Sequence, residues 1–201
     1  MSWIKIINYE DAESRLKKIY DRIKGPNNNV DNILLIHSLR PHTLIGHMTL
    51  YKNVLHNSNN TLPKWYLEAI GVYVSFLNRC DYCFDHHYAG FKKLYNNDAE
   101  SEKFKQAVIN DNLEGIFKNN YLAGFQYAKE LTLNHNDIKN ENIDLLRKKG
   151  FTDGEILEIN QVASYFNYVN RTVVGLGVDI KGDIIGLSPN NSDDPNNWNH
   201  E

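Results

Sequence analysis

Apolar residues recur at helical spacing through almost the whole chain, and that recurrence limits what the chain can fold into. The densest case follows Leu62-Pro63, where Leu67, Ile70, Tyr73, Val74 and Leu77 mark one helical face. The proline suits a first turn, because the N–H it lacks would have no partner there. Upstream, Leu16, Ile19, Tyr20 and Ile23 form a stripe that stops at Gly25-Pro26. After the loop NNNVDN, the spacing predicts a short helix in ILLIHSL ended by Pro41, then a third helix through Leu44, Ile45, Met48, Tyr51, Val54 and Leu55. Another is expected from near Asn78 to Leu94. Three more follow, around Phe104 with Val108, Tyr121 with Phe125 and Ala128, and Ile143 with Leu146. A long last helix is expected from Thr152 to about Val174, capped by Thr152 or Asp153. Alternating valine-rich runs with turn dipeptides are scarce. The expectation is an all-α, compact multi-helix fold. It comprises a single helical domain over 1–187 and a polar, flexible C-terminal tail over 188–201.

Length and charge narrow the function. The 201 residues suit one domain with a substantial core. Twenty-two Lys and Arg against 25 Asp and Glu give a net charge of −3, which argues against a nucleic-acid binder. The longest apolar stretch, within Ala69–Leu77, is far short of the roughly 20 residues of a membrane span. The opening MSWIKIINYEDAES has no secretory-leader pattern. A cytoplasmic protein that binds neither membrane nor nucleic acid is expected. An internal echo also emerges: shifting by 92 residues superposes Tyr73 on Tyr165, Asn78 on Asn170 and Arg79 on Arg171, with apolar positions in phase. A helical repeat is one explanation. In the second copy Asn160 stands for Glu68 and Thr172 for Cys80.

Chemistry concentrates in E-x11-CDYCFDHH, from Glu68 through Cys80 and Cys83 to His87. With only two cysteines the chain is no disulfide-stapled scaffold. On a helix, positions 80, 83 and 87 share a face, and Cys83 and His87 are i, i+4 neighbours. A helix start favours a thiolate, and Asn78 is the candidate N-cap. Glu68, on the preceding helix, is placed to exchange a proton through His87. Competing readings are two inert small hydrophobes and zinc held by Cys80, Cys83, His87 and a fourth ligand such as His86. Structural zinc sites usually draw ligand pairs from two segments, and no second pair is evident. Phe84 stands where a c-type haem site needs histidine, and the helical flanks do not fit a thioredoxin motif. Neither metal nor cofactor is expected. His37, His42 and His47 recur every five residues, which suggests surface or loop positions. Tyr165, Phe166 and Tyr168 read as core, with one ring a candidate wall of the active pocket.

These residues resemble the alkylhydroperoxidase D-like, or carboxymuconolactone decarboxylase, superfamily, and within it the peroxidase-related branch. The resemblance rests on the opening helix, the Glu68–His87 spacing and the closing GFTDGEILEINQVASYFNYVNR. It implies an all-helical fold, trimers or hexamers, and hydroperoxide reduction. Carried over by position, Cys83 attacks the peroxide and becomes a sulfenic acid, and Cys80 resolves it to a disulfide. Glu68 and His87 move the protons, and a lipoylated or thioredoxin-like protein restores the dithiol. Well-studied peroxidase members carry a relay histidine between the cysteines. Here that residue is Tyr82, a poor base with pKa near 10. Lactone decarboxylation is disfavoured, since true decarboxylases generally lack the cysteine pair. A redox-sensing or scaffold oligomer without appreciable turnover is the alternative function.

Overall fold

The computed structural model describes residues 2–117, 119–190, 192, 194 and 197–201. Among them the regular elements are helices: α1 (Ser14–Ile23), α2 (Asn32–Leu35), α3 (Pro41–Leu55), α4 (Lys64–Leu77), α5 (Asp81–Tyr95), α6 (Asp98–Ile109), α7 (Asn119–Leu133), α8 (Asn140–Lys148) and α9 (Asp153–Gly175). The fold is all-α, as the periodicity predicts. Pro41 does more than end the preceding turn. It occupies the first turn of α3, where its fixed φ costs nothing. Thr152 caps α9 in a reciprocal box with Glu155, whose carboxylate accepts from the Thr152 backbone N–H at 2.7 Å.

Helix α4 is the axis of the molecule. Every residue from Tyr66 to Ser75 is buried, so the helix is enclosed on all sides rather than along one stripe. It packs against α5, α7 and α9. The α4–α9 contact pairs the two helices of the 92-residue echo, and Asn78 donates to Asn170, its own counterpart, at 2.9 Å. Close approach depends on Gly71, because a Cβ there would collide with the Phe166 ring. Phe166 is fully buried and anchors α9 on α4.

The chain beyond α9 returns across the bundle. Asn32, at the start of α2, donates its side-chain amide to the Asp179 and Lys181 carbonyls at 2.8 and 3.1 Å. Gly186, with φ +86°, lies against Ala89 on α5, where a side chain would be both strained and crowded. Within the segment expected as a flexible tail, 191, 193, 195 and 196 lie outside the described residues. The described remainder differs from that expectation. Trp198 and His200 are buried, Trp198 N–H donates to the Arg22 carbonyl at 3.1 Å, and the Arg22 guanidinium covers the indole. One indole and one imidazole dock here in an otherwise polar stretch, which composition averages conceal.

Candidate active site

The α4–α5 junction positions the cysteines. Asn78 ends α4 instead of capping α5, and its side chain turns to Asn167 and Asn170. Arg79 then takes a left-handed φ of +55°, which reverses the chain within one residue. Cys80 is therefore the N-cap of α5, with its own N–H bonded back to the Ser75 carbonyl at 2.9 Å. Cys83 lies one turn further in. Both thiols are buried and free.

Electrostatically the two sulfurs differ. The Cys83 thiol donates to the Cys80 sulfur, and this bond is the main cause of a lowered Cys80 pKa. Burial opposes it, while the nearby Cys83 backbone N–H assists, without the alignment of a regular cap bond. For Cys83, burial pushes the thiol well above its usual range, and the bond to Cys80 adds to the rise. The thiolate is thus favoured at Cys80, chiefly by its neighbour's thiol, and not at Cys83, the sulfur expected to be activated. The sequence spacing is correct, but the true cap lies two residues after Asn78.

Glu68 and His87, the residues expected to exchange a proton, lie within hydrogen-bonding distance. Glu68 Oε2 lies 2.8 Å from His87 Nδ1, and Oε1 lies 3.6 Å from His56 Nε2. Burial alone would raise the Glu68 carboxyl. The facing His87 ring, its hydrogen bond and His56 outweigh that, and the net shift is downward. Packing holds the His87 ring, with Phe166 edge-on at 4.5 Å and Tyr51 edge-on at 6.0 Å. The Gly90 backbone passes close by, since a Cβ there would lie 3.7 Å from the Glu68 carboxyl carbon.

Cys83, Glu68 and His87 line one cavity of ≈ 50 Å³. By the space one water centre needs, that is room for about three to five waters. Tyr165 and His47 form part of its wall. His37 and His47 correct the surface assignment: both are buried, with rings 5.1 Å apart, whereas His42 is exposed. Pro41 turns the chain between them so that both rings reach the same interior. His37 Nδ1 bonds Thr43 at 2.8 Å, and burial pushes His47 down to about 3 and His56 to about 4. Tyr165 and Phe166 are core as expected, but Tyr168 is exposed, which corrects its core assignment: its place on the turn of α9 carries it to the outer face.

A second group on the same wall is invisible to local sequence reading. Tyr82 donates to Asp183 Oδ2 at 2.6 Å and accepts from the Ile33 N–H at 3.1 Å. His86 Nε2 lies 3.3 Å from that same Asp183 oxygen. Asp31 lines the cavity beside them, and burial pushes its carboxyl up to about 6. Tyr82, between the cysteines, and His86, three residues after Cys83, had a local signal. Asp31 and Asp183 lie far away in the chain. Among the described residues, no three His, Cys, Asp or Glu side chains converge as a metal-ligand set. His87 turns to Glu68 and His86 to Asp183, so the histidines considered for zinc point to carboxylates.

No protein-family model and no curated protein matches the chain in sequence. Solved structures do match in shape. An uncharacterized peroxidase-related protein from Ralstonia eutropha JMP134, described as an alkylhydroperoxidase AhpD core, superposes with TM-score 0.73. It is 19% identical, over 89% of this chain and 92% of that one. A peroxidase-related protein from Silicibacter sp. TM1040 gives TM-score 0.67 and 23% identity, over 76% and 78%. A cysteine-to-alanine variant of the debrominase Bmp8 in complex with 2,3,4-tribromopyrrole gives 0.68 and 15%, over 90% and 94%. Helix content, chain coverage and these superpositions agree, and the chain has the AhpD-like fold of the peroxidase-related proteins.

Proposed function

We propose that the protein is a thiol-dependent hydroperoxide reductase that uses Cys83, Cys80, His87 and Glu68. The observation that carries this reading is one small cavity lined by both the Cys83 side chain and the hydrogen-bonded His87–Glu68 pair. Cys83 is the sulfur on the cavity wall, so it meets the peroxide. Its high resting pKa means that the thiolate forms only as His87 takes the proton, with Glu68 stabilising the resulting charge. Attack gives a Cys83 sulfenic acid. Cys80, whose thiolate form is favoured, displaces water from it and closes the disulfide. A lipoylated or thioredoxin-like partner then returns the pair to the dithiol. The small cavity suits hydrogen peroxide or a short peroxide better than a bulky one. By the same measure it is tight for a ring such as the tribromopyrrole carried by the debrominase.

Purified protein supplied with dihydrolipoamide and hydrogen peroxide is expected to consume peroxide, and Cys83→Ser to abolish turnover. No consumption above the dithiol background overturns the reading. Burial of both thiols favours one alternative, a redox-sensing scaffold in which the disulfide alters assembly without turnover. Size exclusion of oxidised and reduced protein separates the two, because identical assembly in both states removes the sensor reading. Self-association as a trimer or hexamer accompanies the proposal. Trp3, Leu133 and Leu157 are exposed and give a second copy apolar surface to cover. No helix among the described residues is long and apolar enough to cross a membrane. A cytoplasmic setting suits a pair that must be re-reduced after each turnover.

A further inference from the structure

We propose that His86 is the acid of this reaction, protonating the oxygen that leaves Cys83, and that Asp183 positions it. The inference rests on the hydroperoxide reading above. It answers a question which that reading leaves open. Breaking the O–O bond expels an alkoxide or hydroxide, and Glu68–His87 is occupied with the thiol proton. A second proton donor is needed on the same cavity, and Tyr82, at the relay position, does not serve. Its hydroxyl is committed to Asp183, and burial with the Asp183 and Asp31 charges pushes its pKa well above the usual value.

Geometry favours His86. It lies three residues after Cys83 on α5, and His87 lies four after that cysteine, so the two imidazoles flank the sulfur on adjoining parts of one helical face. Both rings line the cavity with Cys83. The His86 side chain is 9% exposed, and its Nε2 has no aligned hydrogen-bond partner among the described residues, although Asp183 Oδ2 lies 3.3 Å away. A buried polar atom in that state is costly unless something else uses it. Asp183 is held more firmly than a strap residue requires. It accepts from the Asn32 N–H at 3.0 and 3.2 Å and from Tyr82 at 2.6 Å. A carboxylate only 2% exposed, beside an imidazole with a free nitrogen, supplies the counter-charge for a protonated ring. The Tyr82 ring, 4.6 Å from His86, fixes the ring plane.

The step balances. The Cys83 thiolate attacks the terminal peroxide oxygen, forming S–O as O–O breaks. The bonding pair leaves on the second oxygen, which takes the proton from His86 Nε2 as alcohol or water. Sulfur is oxidised by two electrons and the peroxide reduced by two. The proton that His87 removed from Cys83 returns through cavity water to His86. Closure by Cys80 then releases the sulfenic oxygen as water.

Leaving-group dependence tests the assignment. Hydrogen peroxide expels hydroxide, whose conjugate acid has pKa about 15.7. Peracetic acid expels acetate, with a carboxyl pKa of roughly 4 to 5, and needs little acid help. Single-turnover loss of free thiols is followed for both peroxides in the wild type, His86→Gln and Asp183→Asn. Wild type is expected to oxidise with hydrogen peroxide faster than free cysteine does. In His86→Gln the peracetic-to-hydrogen-peroxide rate ratio should rise about 100-fold or more, the usual range for a lost general acid. Asp183→Asn keeps an acceptor for Asn32 and Tyr82, and its ratio should rise roughly tenfold or more by the same logic. It also serves if His86→Gln fails to fold. A merely structural role slows both peroxides equally, and an unchanged ratio in a folded variant overturns the proposal. Wild-type oxidation no faster than free cysteine instead overturns the hydroperoxide reading beneath it.

Discussion

Replacing Glu68 with glutamine removes one charge and almost no volume, which makes it the sharpest test of the acid–base pair. Glutamine still offers an oxygen to His87 Nδ1, so the ring keeps its orientation and the 2.8 Å bond has a neutral successor. What disappears is the carboxylate facing the imidazole as it takes the Cys83 proton. Two unit charges about 4 Å apart, at the effective dielectric of roughly 20 that suits protein sites, attract by about 4 kcal/mol. Half that applies if half the charge has developed at the transition state, so the loss is roughly 2 to 4 kcal/mol, or about 30- to 1,000-fold in rate. The assay is timed acid quench of reduced protein with hydrogen peroxide, scoring disulfide formation, with thermal unfolding as a folding control. A folded Glu68→Gln protein that oxidises within about threefold of wild type, well below that range, refutes the reasoning.

Three further outcomes are expected. Gly71→Ala pushes a methyl into the Phe166 ring and should cost roughly 1 to 3 kcal/mol as α4 and α9 separate; by the scaling for a chain this long, calorimetry should show Tm falling by about 2–4 °C per kcal/mol. Asp31 prefers its neutral form when folded, with a pKa of about 6. The stability this lends is present below the unfolded carboxylate pKa of roughly 4 and is lost as pH rises through about 6. Asp31→Asn should therefore unfold at higher urea than wild type at pH 8, an advantage that shrinks towards pH 4; no advantage at pH 8 contradicts the assignment. The thiolate ultraviolet absorbance should rise at lower pH in Cys83→Ser, which retains Cys80, than in Cys80→Ser, because Cys83 is the more deeply buried thiol, and the reverse order contradicts the assigned difference between the two sulfurs.

The positions of helices and the pairing of Glu68 with His87 were legible in one dimension because both obey local rules. A helix repeats every 3.6 residues, and a glutamate and a histidine on consecutive helices joined by a short turn come within reach when each lies on the face its helix turns to the other. The internal echo also had a physical correlate, since Asn78 and Asn170 meet across the α4–α9 contact. The cap was misplaced by two residues because Arg79 adopts a left-handed φ that few non-glycine residues take.

The amino-acid order by itself determined an all-helical chain and a Cys-x-x-Cys pair with a glutamate and a histidine in register, since propensity and periodicity act over neighbours. Only the tertiary structure decided which sulfur is favoured as a thiolate, that Asp31 and His86 share the Cys83 cavity, and that Asp183 stands behind His86. Asn32 and Asp183 are hydrogen-bonded across a sequence separation of 151. Such a contact depends on how whole helices pack and on where the returning chain is tied down. Charge, burial and hydrogen bonding at the site follow from that packing, so no short-range pattern encodes them.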